Sequence, residues 1–89
     1  MIELIWDEGF KKRLKRLLKN NEFLKSKFEE KIEIFCLNPY DQRLKTHKLS
    51  GNLKDLWALR VDYDCRIIFK FISESEVLLI DIVGHDEVY

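Results

Sequence analysis

The chain has one proline, three glycines and two cysteines among 89 residues, and its sixteen basic and sixteen acidic side chains cancel. Each shortage excludes something. Cys36 and Cys65 are too few to build the disulfide framework of a small secreted domain, and they read as buried thiols. Only His47 and His85 could join them, without a Cys-x-x-Cys or His-x-x-x-His spacing, so neither a metal site nor a cofactor is expected. Zero net charge argues against a dedicated nucleic-acid binder. No apolar run exceeds four residues, as at Val77–Ile80, whereas a membrane span needs roughly 20, so no membrane association is expected. The stretch Met1–Asp7 has neither the basic start nor the long apolar segment of an export signal, which makes the cytoplasm the expected compartment.

What is present is an ordinary globular balance, 46% apolar and 36% charged, which excludes a disordered chain. The length suits a single domain over residues 1–89. Ile2–Trp6 reads as a short strand. Asp7 is a helix N-cap, with Glu8 favourable in the first turn. Phe10, Leu14, Leu17 and Leu18 follow at i, i+4, i+7 and i+8, which predicts an amphipathic helix over roughly 8–19. Asn20-Asn21 breaks it and caps a second helix over roughly 22–36, carried by Leu24, Phe28, Ile32 and Phe35. Asn38-Pro39 ends that helix, because proline disfavours helical geometry in the residue before it. The short break predicts an antiparallel helical hairpin.

Residues 40–55 are polar and irregular and read as a long, functional loop. Trp57–Asp62, Cys65–Ile72 and Val77–Val83 then alternate or run apolar as strands, with a tight turn at Tyr63-Asp64. Trp57, Leu59, Val61, Ile67, Phe69, Phe71, Ile80 and Ile82 are the expected sheet contribution to the core. The order β-α-α-β-β-β predicts an α+β fold, a helical hairpin on one face of a mainly antiparallel four-stranded sheet.

Charge is unevenly distributed. Residues 1–54 carry 13 Lys/Arg against 8 Asp/Glu, and residues 55–89 carry 3 against 8. Such asymmetry permits a polyanion site on a neutral molecule, although Lys11–Lys19 also fits the solvated face of a helix. Arg60 and Arg66 flank the expected turn, with residues 61 and 66, or 60 and 67, opposed. Either way the two guanidiniums lie on neighbouring strands, and if the Trp57/Leu59/Val61 and Phe69/Phe71 rows share the core, both fall on the face away from it. Arginine binds phosphate through a planar fork, and His85 at the next strand's end can move a proton near neutrality. Tyr89 can stack on a base or offer a hydroxyl. The alternative is solvent-facing arginines paired with Asp62 and Asp64, and a structural histidine. Asp81, set in an apolar strand, reads as a structural group bonded to backbone or to an arginine.

The stretch His47-Lys48-Leu49-Ser50-Gly51 through Trp57-Ala58-Leu59-Arg60-Val61 resembles the H-x-L-x-G…W-x-x-R-(V/I) core of the RelE/ParE superfamily of type II toxins. Asp64-Cys65-Arg66-Ile67-Ile68-Phe69 is similar to the family's x-R-(I/L)-(I/V)-(Y/F) strand, and Gly84-His85 through Tyr89 to the tail of its YafQ-like branch. The resemblance implies a ribosome-dependent mRNA endonuclease, in which a ribose 2′-OH attacks the adjacent phosphate, and a cognate antitoxin that silences it. By position it implies a catalytic set of His47, Asp64, Arg66, His85 and Tyr89. Lys45, Lys48, Lys54 and Arg60 are further substrate contacts, and Lys12, Lys15 and Arg16 are the expected antitoxin footprint. The YafQ-like pattern has a histidine where this chain has Arg60, which removes a proton carrier and adds a fixed charge. Two other readings stay open: a ParE-like toxin that poisons gyrase without cutting RNA, and a degenerate toxin kept for antitoxin binding. The fold serves all three.

Overall fold

The computed structural model describes residues 1–51 and 55–84. Strand β1 (Glu3–Trp6) leads into helices α1 (Glu8–Leu18) and α2 (Glu22–Leu37), a one-turn 3₁₀ segment (Gln42–Leu44), and strands β2 (His47–Lys48), β3 (Trp57–Asp62), β4 (Cys65–Phe71) and β5 (Glu76–Val83). The helix boundaries follow from local chemistry. Asp7 Oδ2 accepts the Phe10 N–H at 3.1 Å, and Asn21 Oδ1 accepts the Leu24 N–H at 3.0 Å, so each cap satisfies an N–H that the first turn cannot. Asn20 makes the break between the helices in the left-handed region, at φ 58°, a conformation asparagine tolerates better than most residues. Asn38 leaves helical geometry immediately before Pro39.

Among the described residues the sheet has five strands in the order β1-β5-β4-β3-β2, rather than the four expected. The additional strand, β2, and the 3₁₀ turn both lie in the segment read as a loop. β2 pairs antiparallel with β3, His47 opposite Ala58 and Lys48 opposite Trp57. The β3–β4–β5 meander is antiparallel, and β1 runs parallel to β5. The two helices take different strands: α1 packs against β5 and α2 against β3.

Two bulges set which side chains face inward. In the β3–β4 ladder Arg60 pairs with Arg66 but Asp62 with Cys65, so Val61 is the extra residue. Neither expected opposition, 61 with 66 or 60 with 67, occurs. In the β4–β5 ladder Ile68 pairs with Asp81 and Phe69 with Leu79, which leaves Ile80 unpaired. A bulge shifts the side-chain alternation by one residue. Val77 and Leu79 therefore enter the core below it and Ile82 above it, and the expectation that Ile80 is a core residue is corrected.

The core joins Phe10, Phe28, Phe35 and Leu44 to Leu59, Val61, Cys65, Ile67, Phe69, Val77, Leu79 and Ile82. Phe35 meets Phe69 edge-on with ring centroids 4.9 Å apart, a geometry that aligns ring edge and ring face favourably. Leu44 is fully buried although it stands alone in a polar segment. It anchors the 3₁₀ turn against the core.

Candidate functional site

Alternation sends Ala58, Arg60, Arg66, Ile68, Asp81 and Val83 away from the core, and the ladders arrange them in rows. One row runs His47, Ala58, Ile68, Asp81 across four strands, and the next runs Arg60, Arg66, Val83. Ala58, Ile68 and Val83 are buried on this side although they lie outside the core cluster. Arg66 is exposed and Arg60 half-buried. Among the described residues neither makes an ion pair with Asp62 or Asp64. Like charges directly opposed in a ladder are destabilising, so packing alone does not account for this pair.

The remaining expected residues divide. His47 is exposed, and its Nδ1 lies 2.9 Å from the Lys45 carbonyl oxygen, a contact in which the ring nitrogen donates. It stands two strands and one row from Arg66, on the order of 12 Å between Cα atoms at ideal sheet spacing. Lys45 caps the 3₁₀ turn in the left-handed region, at φ 52°. Lys48 pairs with Trp57 and so points to the other face of the sheet; it does not join the arginine row. Asp64 occupies the exposed turn two residues before Arg66. Lys54, His85 and Tyr89 lie outside the described residues. Lys12, Lys15 and Arg16 are all exposed on α1.

Several contributors were not visible in the sequence. Arg13 leaves the basic face of α1 and places its Nε 2.8 Å from Asp81 Oδ1. The same oxygen accepts the Ile82 N–H at 2.9 Å, so Asp81, expected to bond to backbone or to an arginine, bonds to both. A Cβ built on Gly84 would lie 2.9 Å from Leu17 Cδ2, so any other residue there would displace Leu17. These two contacts dock α1 on β5 beyond Leu79, the last residue of β5 that β1 pairs with. They fix the end of β5 just before His85.

An open cleft of about 250 Å³ lies beside the turn end of β3, where β2 no longer covers the strand. Lys31 of α2, Arg43 of the 3₁₀ turn and Arg60, Val61, Asp62 and Tyr63 line it. The Arg60 guanidinium rests over the Tyr63 ring, 5.3 Å from its centroid. Arg43 is held by two 2.9 Å bonds from Nε and Nη2 to the Asp41 carboxylate. Those side-chain bonds, with the Arg43 backbone N–H, bring the Asp41 carboxyl down to about 2. A larger cleft of about 560 Å³ at the opposite end is lined by Ile2, Pro39, Tyr40, Trp57 and Phe71 with Ser73 and Glu74. It is mainly aromatic and holds one carboxylate, which suits packing more than proton transfer. Among the described residues no group of three or more His, Cys, Asp or Glu could hold a metal ion. No helix among them is long and apolar enough to cross a membrane.

Two helices on a five-stranded, mostly antiparallel sheet are the architecture, among the described residues, of a chain whose sequence places it among the type II toxins of the RelE/ParE superfamily. A family model described as the ParE toxin of the type II toxin-antitoxin system parDE matches residues 4–89, and the chain belongs to that family. No curated protein sequence matches it. Among solved structures it is similar to a copper-bound mutant toxin from Helicobacter pylori, with a TM-score of 0.79 and 24% identity over the whole of both chains. It is also similar to YafQ from E. coli, at a TM-score of 0.75 and 16% identity, covering 94% of this chain and 93% of that one. A YoeB–YefM complex from Staphylococcus aureus gives a TM-score of 0.75 and 16% identity, covering 96% and 98%. At these identities the likeness concerns the fold.

Proposed function

We propose that this toxin is an endoribonuclease that cleaves messenger RNA on the ribosome. The observation that carries the reading is the direct opposition of Arg60 and Arg66 on the face away from the core. A charge pair that weakens the sheet is accounted for if a polyanion neutralises it. In the reaction the 2′-oxygen bonds to the adjacent phosphorus and the bond from phosphorus to the 5′-oxygen breaks, leaving a cyclic phosphate and a 5′-OH. A base takes the 2′-OH proton and an acid protonates the departing oxygen. Arg66 is the phosphate clamp, because a fixed guanidinium stabilises charge that grows in the transition state. His85 is the main proton carrier, with Asp64 and His47 as the other base candidates and Tyr89 as a stacking group. Arg60 and Lys45 extend the phosphate contacts.

The partner is an acidic antitoxin. The family is defined by toxin–antitoxin pairs, and the similar fold of YoeB occurs in complex with YefM. The exposed Lys12, Lys15 and Arg16 are the footprint that charge complementarity favours. A second reading, a gyrase poison that cuts no RNA, draws on the ParE name of the family model itself.

Induction of the toxin, with mRNA 5′ ends mapped by primer extension and gyrase supercoiling assayed alongside, separates the two. New 5′ ends with normal supercoiling are expected. Blocked supercoiling without new ends would replace the ribonuclease by the gyrase reading. Neither effect would leave a degenerate toxin that only binds its antitoxin.

A further inference from the structure

We infer that the cleft beside the β3–β4 turn is a nucleobase subsite, in which Tyr63, backed by Arg60, stacks the base neighbouring the phosphate held at Arg66. The inference rests on the ribonuclease reading above and adds to it Tyr63, a residue so far given no role, and the cleft it lines. It begins with an aromatic that packing does not require. Tyr63 occupies the first position of a two-residue turn, where small or polar residues are the usual choice, and the residue is 75% exposed. The ring is nevertheless oriented, because the Arg60 guanidinium covers one face at 5.3 Å. An aromatic ring with a guanidinium beside it is the surface on which unpaired bases stack, and stacking tolerates any base because each has a π face.

Arg60 belongs to two places at once. It lines the cleft, and it stands directly opposite Arg66 in the ladder. A strand whose phosphate meets Arg66 therefore has its adjoining nucleotide beside Arg60 and Tyr63. The charge of the cleft points to the base rather than to a second phosphate. Arg43 is bound to Asp41, Lys31 lies 3.3 Å from Glu30, and Asp62 adds a carboxylate to the wall. Among the described residues Arg60 is thus the cation of this cleft that no carboxylate holds. The volume of about 250 Å³ is open on one side, as a site for one flat group entering from solvent would be.

The test uses the full chain and a single-stranded RNA spanning a mapped cut, made uncleavable by a 2′-deoxy substitution at the attacking position. A second probe is abasic at the neighbouring nucleotide. Tyr63→Ala is expected to weaken binding of the first probe by about 5- to 150-fold, the range of one lost base–aromatic stack. The abasic probe should lose a similar factor with the unaltered protein and nothing further with Tyr63→Ala, since the two changes remove one contact. Tyr63→Phe should keep the affinity, which a role for the hydroxyl would not predict, and the abasic-probe comparison excludes an effect through the turn. Cleavage by Tyr63→Ala in a translating extract should fall at low mRNA and recover at saturation. If the unaltered toxin cuts and Tyr63→Ala binds and cuts equally well, the subsite is wrong while the ribonuclease reading stands. If the unaltered toxin neither cuts mRNA nor binds the probe, both are wrong.

Discussion

Arg60 and Arg66 face each other directly across β3 and β4, and this pairing exists because Val61 is inserted as a bulge. Without the extra residue the two-residue turn would oppose Val61 to Arg66; opposed residues share a face, so the two guanidiniums would lie on opposite faces of the sheet. The bulge thus converts two separate arginines into one dicationic row.

That row should exchange stability for activity. Replacing Arg66 by Thr removes a like-charge opposition and is expected to raise stability by about 0.2–1 kcal/mol, more at low salt, while relieving growth inhibition. Arg66→Lys should restore neither toxicity nor the gain, since an ammonium keeps the charge but lacks the fork. Urea titrations at two salt concentrations and a growth assay measure both quantities. A variant both more stable and fully toxic would remove the substrate from the explanation of the pair.

Phe69 is fully buried against Phe35. Phe69→Ala should cost about 3–5 kcal/mol, enough to lower the thermal midpoint by more than about 10 °C in a domain of this size. An unchanged midpoint would mean that the register of β4 is wrong.

Arg13 and Asp81 dock α1 on the end of β5 with side chains 37% and 19% exposed. Solvent screening at that exposure limits the pair, so a double-mutant cycle of Arg13→Ala and Asp81→Asn should give a coupling of about 0.5–1 kcal/mol. Independent, additive effects would show that the contact contributes nothing to stability.

The Asp41 carboxyl should titrate near 2 by carbon-detected NMR and return toward its ordinary 3.8 in Arg43→Ala, because the lost bonds all stabilise the carboxylate. The sign follows from the depressed value: any stabilisation from this pair is present above pH 3.8 and disappears as pH falls through about 2. A midpoint near 3.8 in the unaltered protein would contradict the bidentate geometry.

Reversing charge at Lys12, Lys15 and Arg16 should slow association with the antitoxin at low salt and leave the fold intact. Unchanged association kinetics would move the footprint off α1.

Much of this architecture is legible in the sequence, and the failures have identifiable causes. The caps at Asp7 and Asn21 and the stop at Asn38-Pro39 are local chemistry and fall where the residues put them. The bulge at Ile80 is invisible because Val77-Leu78-Leu79-Ile80 is apolar at every position, so a period of two has no phase to read. β2 has two exposed polar residues and no pattern at all. Its register, which turns His47 and Lys48 to opposite faces, depends on β3 rather than on itself. Leu44 gives a single apolar signal in a polar stretch, too little to show that it anchors a turn. The outward direction of Arg60 and Arg66 was available from alternation, but their direct opposition was not, because no residue type marks the bulge at Val61. The role of Arg13 was hidden in a run of like charges, and only the fold separates it from its neighbours.

Of the five strands, β5 leaves the ribosome last, yet it lies second in the sheet, between β1 and β4. Its ladders join Glu76 to Glu3 and Val83 to Arg66. Until β5 has emerged, β1 has no partner and β4 has only β3. Closing such distant pairs is slow compared with forming local ones. A half-made chain therefore cannot assemble the finished sheet beside the ribosome that is making it. Birth order alone withholds the complete sheet, and with it the opposed arginine row flanked by β5, until β5 has been made.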